Sequence, residues 1–184
     1  MLRNNTTSSA LPSSDGNSKY TARKIAILAL LIALAILLGY VETLIPLNLG
    51  VPGVKSGLCN IVILVTMLLY SWREALLVSV ARVLVIGFMF GNLYSITYGL
   101  AGTVCSILIM SVLLATRQFG LIGVSAAGGS AHNIGQLLVA KLVLPALPLF
   151  WYVPVLLLAG LATGAIIGTL TYGIYTRIKG VETL

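Results

Sequence analysis

Apolar residues run almost unbroken through most of the chain, and the interruptions between runs are short and polar. No charged side chain occurs in residues 25–41, 56–72, 83–116, 118–140 or 142–176. A helix needs about 20 mostly apolar residues to cross the hydrocarbon core of a bilayer. The stretches 83–116 and 142–176 are too long for one crossing and too short for two, so each shares its ends with a turn or an interfacial segment. The pattern predicts six helices, over residues 22–41, 57–71, 73–90, 93–116, 120–141 and 151–176. Only Phe90-Gly91-Asn92 separates the third from the fourth, and Arg82 lies within the third. The predicted fold class is all-α: a polytopic membrane protein with six transmembrane helices in residues 21–178, a disordered polar tail over 1–20 and a short tail over 179–184.

Composition agrees with this pattern. The chain of 184 residues is 59% hydrophobic and 8% charged, whereas a soluble domain carries roughly 25% charged residues. The net charge of +7 does not point to nucleic acid, because the basic residues stand singly between apolar runs. They do orient the chain. With six spans both termini fall on one side, together with Arg3, Lys19, Arg23, Lys24, Arg73, Arg117, Arg177 and Lys179, against Lys55 and Lys141 on the other. Positive residues concentrate on the cytoplasmic side of membrane proteins, so both termini are expected there, in a multi-pass protein of the cell membrane. Tyr20, Tyr70, Trp72, Tyr172 and Tyr175 then mark the inner interface, and Tyr40, Tyr94, Trp151 and Tyr152 the outer one. The tail before Thr21 is rich in Ser, Thr, Asn and Gly, and no A-x-A cleavage pattern follows the first apolar run. That run is expected to remain as an uncleaved span.

Small residues recur at helical spacing. Gly160, Gly164 and Gly168 form two successive G-x-x-x-G units, Gly91, Ser95, Gly99 and Thr103 a similar stripe, and Ala22, Ala26, Ala29 and Ala33 another. Such stripes let helix backbones approach closely in lipid. They serve either packing within the chain or docking of another membrane subunit.

Polar side chains inside a bilayer are costly, which makes their positions informative. In the six-span arrangement Glu42 ends the first helix at its outer end, Lys55 and Asn60 flank the outer start of the second, and Arg82 lies near the midplane. His132, Asn133 and Gln136 fall in the outer half of the fifth helix, where Ser125, Gly129, His132 and Gln136 share one face. The connection 43–56 is apolar but broken by Pro46, Gly50, Pro52 and Gly53, so it is expected to be an outer loop able to fold over a pocket. Glu42, Lys55, Asn60, Arg82, His132, Asn133 and Gln136 are therefore the candidate ligand-binding residues. Their cationic bias suits an anionic ligand with an apolar portion.

Catalysis is not expected. There is no Walker A loop, and one histidine with no intramembrane aspartate leaves almost no ligands for a metal. Haem or cluster ligation lacks its residues too, so no cofactor is expected. Cys59 and Cys105 lie in apolar runs with no metal-like spacing and are expected to be plain packing residues.

Pro52-Gly-Val-Lys-Ser-Gly-Leu-Cys-Asn60, Arg82-Val83 and Ala131-His-Asn-Ile-Gly-Gln-Leu137 resemble a family known both as Gx transporters and as component I of heptaprenyl diphosphate synthase. The resemblance covers about 22–178. Lys55, Asn60, His132, Asn133 and Gln136 match its motifs, while Ser56 and Cys59 stand where Leu and Ala are usual. The family is similar to the six-helix substrate-binding subunits of energy-coupling-factor transporters. That likeness implies ligand capture from outside between a mobile first loop and the bundle. It also implies docking of the first helix, through an A-x-x-x-A face such as Ala29 to Ala33, on a membrane coupling subunit that carries ATPases. The function expected is thus a non-enzymatic membrane subunit that binds a small, anionic or isoprenoid-like ligand from the outer side. Two alternatives follow from the same resemblance: a component of quinol- or flavin-linked outward electron transfer, and a non-catalytic component linked to polyprenyl diphosphate synthesis for the menaquinone side chain.

Overall fold

A computed structural model of the chain describes residues 15–44, 57–143, 151 and 153–182, with side chains over 21–44, 57–143, 151 and 153–178. Six α-helices follow one another: α1 Asp15–Leu44, α2 Cys59–Leu69, α3 Trp72–Phe90, α4 Leu93–Thr116, α5 Leu121–Val143 and α6 Val153–Glu182. No strand occurs among the described residues. The fourth helix has the predicted bounds, and the others differ mainly at their ends. Residues 15–20, expected in the polar tail, are the first turns of α1. At the other end of the chain α6 runs on to Glu182, past the expected boundary at 178.

Local chemistry explains the two tightest junctions. Between α2 and α3, the Ser71 hydroxyl accepts from Arg73 N at 3.2 Å and donates to Glu74, the Ser-x-x-Glu signature of a helix start. Between α3 and α4, Asn92 Oδ1 accepts from Ser95 N and Ser95 Oγ accepts from Asn92 N, both at 2.9 Å. This reciprocal cap lets Gly91 and Asn92 alone reverse the chain. α4 ends differently, on Arg117 in the left-handed region at φ 54°, where a side chain costs roughly 1–2 kcal/mol that glycine avoids. Arg117→Gly should therefore stabilise the protein by about 1 kcal/mol, seen as a raised melting temperature of the purified protein; Arg117→Ala, which keeps the strained backbone, should give no rise.

The helices run up and down, and α2, α3, α4, α5 and α6 each pack on the next, with α6 returning to α2 to close a ring. α1 lies outside it, against α2 and α3. One end of the bundle joins the N-termini of α1, α3 and α5, where Lys24 Nζ pairs with Glu74 Oε1 at 2.6 Å and sits 5.6 Å from the Tyr70 ring centre. The opposite end brings Tyr40 of α1 and Phe90 of α3 together, ring centres 5.0 Å apart. Towards the first end the interior is a dry core of Ile63, Leu64, Met67, Ala75, Ile107, Met110 and Val124. A second cluster, Ala35, Val62 and Val78, seats α1.

Thr21–Leu44, Leu93–Thr116 and Val153–Ile178 are long and apolar enough to cross a membrane. Large apolar side chains on these helices face outward, among them Leu30, Leu37, Leu108, Val112, Leu158 and Ile166, as lipid-facing positions do. α3 and α5, with 19 and 23 residues, have the length for a crossing at about 1.5 Å per residue. Their hydropathy is lowered by Arg82, His132, Asn133 and Gln136. α2 is a different case: its 11 residues rise only about 16 Å, half of a hydrocarbon core about 30 Å thick. The expected second span of 57–71 is therefore a half-length helix.

Candidate functional site

Because α2 is short, its N-terminus stops inside the ring rather than at the rim. Gly57 makes this possible. It takes the left-handed conformation at φ 69°, and a Cβ there would come within 3.0 Å of Ile167 Cδ1 on α6. Above this point the ring encloses a cavity of about 160 Å³, comparable with the roughly 150 Å³ cavities that hold a benzene-sized molecule.

Every candidate ligand residue that the structure describes lines this one cavity: Glu42, Asn60, Arg82, His132, Asn133 and Gln136. They come from four helices and from positions as far apart in sequence as 42 and 136. Lys55 lies outside the described residues. The expected first loop, 43–56, is described only at Thr43 and Leu44, which belong to α1.

Glycines create the room. On α4, a Cβ at Gly99 would lie 2.9 Å from Val83 Cγ1, and one at Gly102 would lie 2.8 Å from His132 Cε1 and Nε2 and 2.9 Å from Gln136 Cγ. Gly102 thus sets the positions of both α5 side chains, a role its place in an apolar run does not reveal. Gly102→Ala should keep the bundle folded but displace His132 and Gln136, lowering ligand affinity about tenfold. The check is to measure the amount of co-purifying ligand, with the melting temperature as control.

Arg82 is 8% exposed and is the only cation among the described lining residues. Its stem runs along α1: a Cβ at Gly39 would touch Arg82 Cγ and Cδ at 3.6 Å. Its guanidinium has a single acceptor among the described residues, Cys59 Sγ, 2.9 Å from Nη1. Nε is buried with no hydrogen-bond partner among the described residues. Cys59 Sγ in turn lies 3.0 Å from Glu42 Oε2 as donor. The expectation that Cys59 is a plain packing residue does not hold, because its thiol links the acid of α1 to the base of α3 across the cavity wall. A thiol can do both, donating weakly through S–H and accepting on sulfur. Cys105, by contrast, packs beside Gly135 between α4 and α5.

The remaining polar groups divide by use. Asn133 lines the cavity, but its Nδ2 donates to Leu156 O of α6 at 2.7 Å, so it ties two helices together. The side-chain amides of Asn60 and Gln136 have no hydrogen-bond partner among the described residues. Val83, Ile86 and Phe90 supply apolar wall. Below the cavity the hydroxyls of Ser79 and Thr103 pair at 3.1 Å, and beneath them the dry core closes the bundle.

Three glycines of α6, those of the G-x-x-x-G units, belong to packing within the chain. A Cβ at Gly160 would lie 2.8 Å from Ser130 Cα, at Gly164 2.5 Å from Ser125 O, and at Gly168 2.7 Å from Ile122 Cα, all on α5. The alanine stripe of α1 is placed oppositely, with Ala22, Ala26, Ala29 and Ala33 all exposed.

A family profile described as heptaprenyl diphosphate synthase component I matches residues 31–174. No curated protein matches the chain, and no solved structure does.

Proposed function

The chain belongs to the heptaprenyl diphosphate synthase component I family, the Gx transporter family, and on that premise we propose that it is a membrane ligand-capture subunit for transport, taking a small anionic molecule from the outer side. The observation that carries this reading is the convergence of six polar side chains from four helices on one cavity, at one end of a bundle whose other end is filled by apolar residues. Among the described residues Arg82 Nε is a buried donor without an acceptor, which costs about 1–3 kcal/mol, and the half-buried side chains of Asn60 and Gln136 line the same cavity. That cost is offset when a ligand supplies the acceptors.

In this reading the chain crosses the membrane six times and both termini are cytoplasmic. The placement of Arg23, Lys24, Arg73, Arg117 and Arg177 at the bundle end away from the cavity supports the orientation. The role is binding rather than catalysis and draws on no cofactor or nucleic acid. Among the described residues no three His, Cys, Asp or Glu side chains cluster as a metal site would require. An isoprenoid ligand would place only its head in a space of about 160 Å³, its chain lying in lipid. The exposed Ala29 and Ala33 support docking of α1 on a membrane coupling subunit with ATPases, which would power the transport.

The family description favours one further reading, a non-catalytic membrane component of polyprenyl diphosphate synthesis. Native mass spectrometry of the purified protein separates the possibilities. A retained small anionic metabolite is expected; a retained quinone or flavin would replace transport by electron transfer, and a retained polyprenyl diphosphate would favour the synthesis reading.

A further inference from the structure

Cys59 holds its thiol between an acid and a base. Its Sγ donates to Glu42 Oε2 at 3.0 Å and accepts from Arg82 Nη1 at 2.9 Å. Glu42 and Cys59 each have a further interaction as well, and neither displaces these two. A thiol that attacks an electrophile has to give up its proton and carry negative charge as it reacts. Here groups already in contact with the sulfur meet both needs. Glu42 Oε2 lies at the end of the hydrogen bond along which the proton leaves, and the Arg82 guanidinium faces the charge that develops. A second feature, independent of the thiol, marks the space beside it as one that receives a polar molecule. Arg82 is 8% exposed, lines the cavity and keeps its Nε buried without a hydrogen-bond partner among the described residues.

The cavity also sets the size of the reactant. About 160 Å³ holds a small alkyl hydroperoxide, or hydrogen peroxide, which is about twice the size of a water molecule occupying about 30 Å³ in the liquid. Cys59 is the only cysteine among the described lining residues, because Cys105 packs beside Gly135 between α4 and α5. No second thiol stands in the lining to close a disulfide, and a sulfenic acid left without one is oxidised further to sulfinic acid.

We propose that Cys59 is an oxidation site through which small hydroperoxides shut the cavity to its ligand. The sulfur attacks one peroxide oxygen, so that an S–O bond forms and the O–O bond breaks. The thiol proton passes through Glu42 to the leaving hydroxide or alkoxide, giving a sulfenic acid and water or an alcohol. Sulfur loses two electrons and the peroxide gains them. A second peroxide repeats the exchange and leaves a sulfinate. That group carries a negative charge and two oxygens on the sulfur beside Arg82, so it competes as a tethered anion for the guanidinium that the ligand needs. The loss of ligand rests on the anionic-ligand reading; the oxidation does not.

The test treats the full-length protein in nanodiscs with dilute hydrogen peroxide and follows both cysteines by peptide mass spectrometry. Exposure alone favours Cys105, which is half-buried, over Cys59, which is 3% exposed. Cys59 should nonetheless gain oxygen faster than Cys105, by about tenfold or more. Arg82→Met should slow Cys59 by about a hundredfold, the scale of removing one preorganised donor from a developing charge, and an unchanged Cys105 rate shows that the bundle is intact. Glu42→Gln should slow Cys59 as well, because an amide cannot take the proton. A faster reaction in that variant would mean that the carboxylate only repels the charged sulfur, and it overturns the proposal. So does a Cys59 rate at or below that of Cys105, or one that Arg82→Met leaves unchanged. Native mass spectrometry of the treated protein reads the consequence for the ligand. The retained anion should disappear in step with sulfinate formation at Cys59. An anion still retained on fully oxidised protein overturns the shutting of the cavity and leaves the anionic reading standing. Oxidation at Cys59 in a protein that retained no anion before treatment keeps the oxidation site and overturns the anionic reading.

Discussion

Replacing Gly164 with leucine should leave almost no folded protein. Gly164 is the middle of three α6 glycines that face α5, and what a side chain would meet there is backbone: the Ser125 carbonyl oxygen at 2.5 Å and Ala126 Cα at 2.6 Å from the Cβ alone. Overpacking is usually relieved by a rotamer change costing about 1–3 kcal/mol, but a carbonyl and a Cα cannot rotate away. The helices would have to separate, losing the Asn133 to Leu156 and Ser130 to Leu157 hydrogen bonds at 2.7 and 3.3 Å along with the dispersion contacts that hold helices together in lipid. The expected cost exceeds about 3 kcal/mol, a large part of typical total stability. Size-exclusion chromatography after detergent extraction should show aggregate in place of a monodisperse peak. Gly173→Leu on the same helix is the control, since nothing lies within 4 Å of its Cβ position; it should behave as the unaltered protein.

Arg82→Met should do the reverse, abolishing ligand retention while leaving the melting temperature unchanged or higher. A buried cation with one thiol acceptor and an unsatisfied Nε among the described residues is an energetic burden on the fold. Replacing a whole buried ion pair by apolar residues of similar shape is often neutral or stabilising by about 1–4 kcal/mol, and Arg82 reaches Glu42 only through the Cys59 thiol, so its loss breaks no direct ion pair among the described residues. Methionine keeps the unbranched stem that fills the space beside Gly39. Affinity for an anion should fall at least a hundredfold, read as disappearance of the retained ligand by native mass spectrometry. A clear drop in melting temperature would instead make Arg82 part of the scaffold. A residue that costs stability and supplies binding is what a functional site looks like in the balance of a fold.

Much of this is legible in the sequence. Apolar run lengths place six helices, and the alternation of chain direction sends Glu42, Asn60, Arg82 and the His132 to Gln136 group to the same end. Polar residues in lipid have few places to go, so depth along a helix nearly determines which of them meet. What depth does not supply is rotation and room. Gly102 reads as one more small residue of an apolar helix, and its function exists only in relation to His132 and Gln136 on a neighbour. Cys59 is similar: a thiol in an apolar run packs in most settings, and only the approach of Arg82 from α3 and Glu42 from α1 turns it into a bridge. Asn133 is a third case: it lines the cavity beside His132, as its position in the sequence suggests, while its Nδ2 donates to the Leu156 carbonyl of α6. The half-length of α2 is also hidden, since no charge falls between residues 56 and 72 and the turn at Gly57 depends on a left-handed backbone that the neighbouring Ser56 and Leu58 do not announce.

The seat of α1 has a thermodynamic corollary. This helix stands outside the ring, presents its alanines outward, rests through Gly39 on the stem of Arg82 and carries Glu42 to the cavity. If a second membrane protein shifts α1 on docking, the same displacement moves the groups that hold the anion. Linkage then requires reciprocity: by whatever factor the ligand changes the partner's affinity, the partner changes the ligand's by the same factor. A single helix would report occupancy outward and receive instruction inward, and one measured coupling constant would describe both.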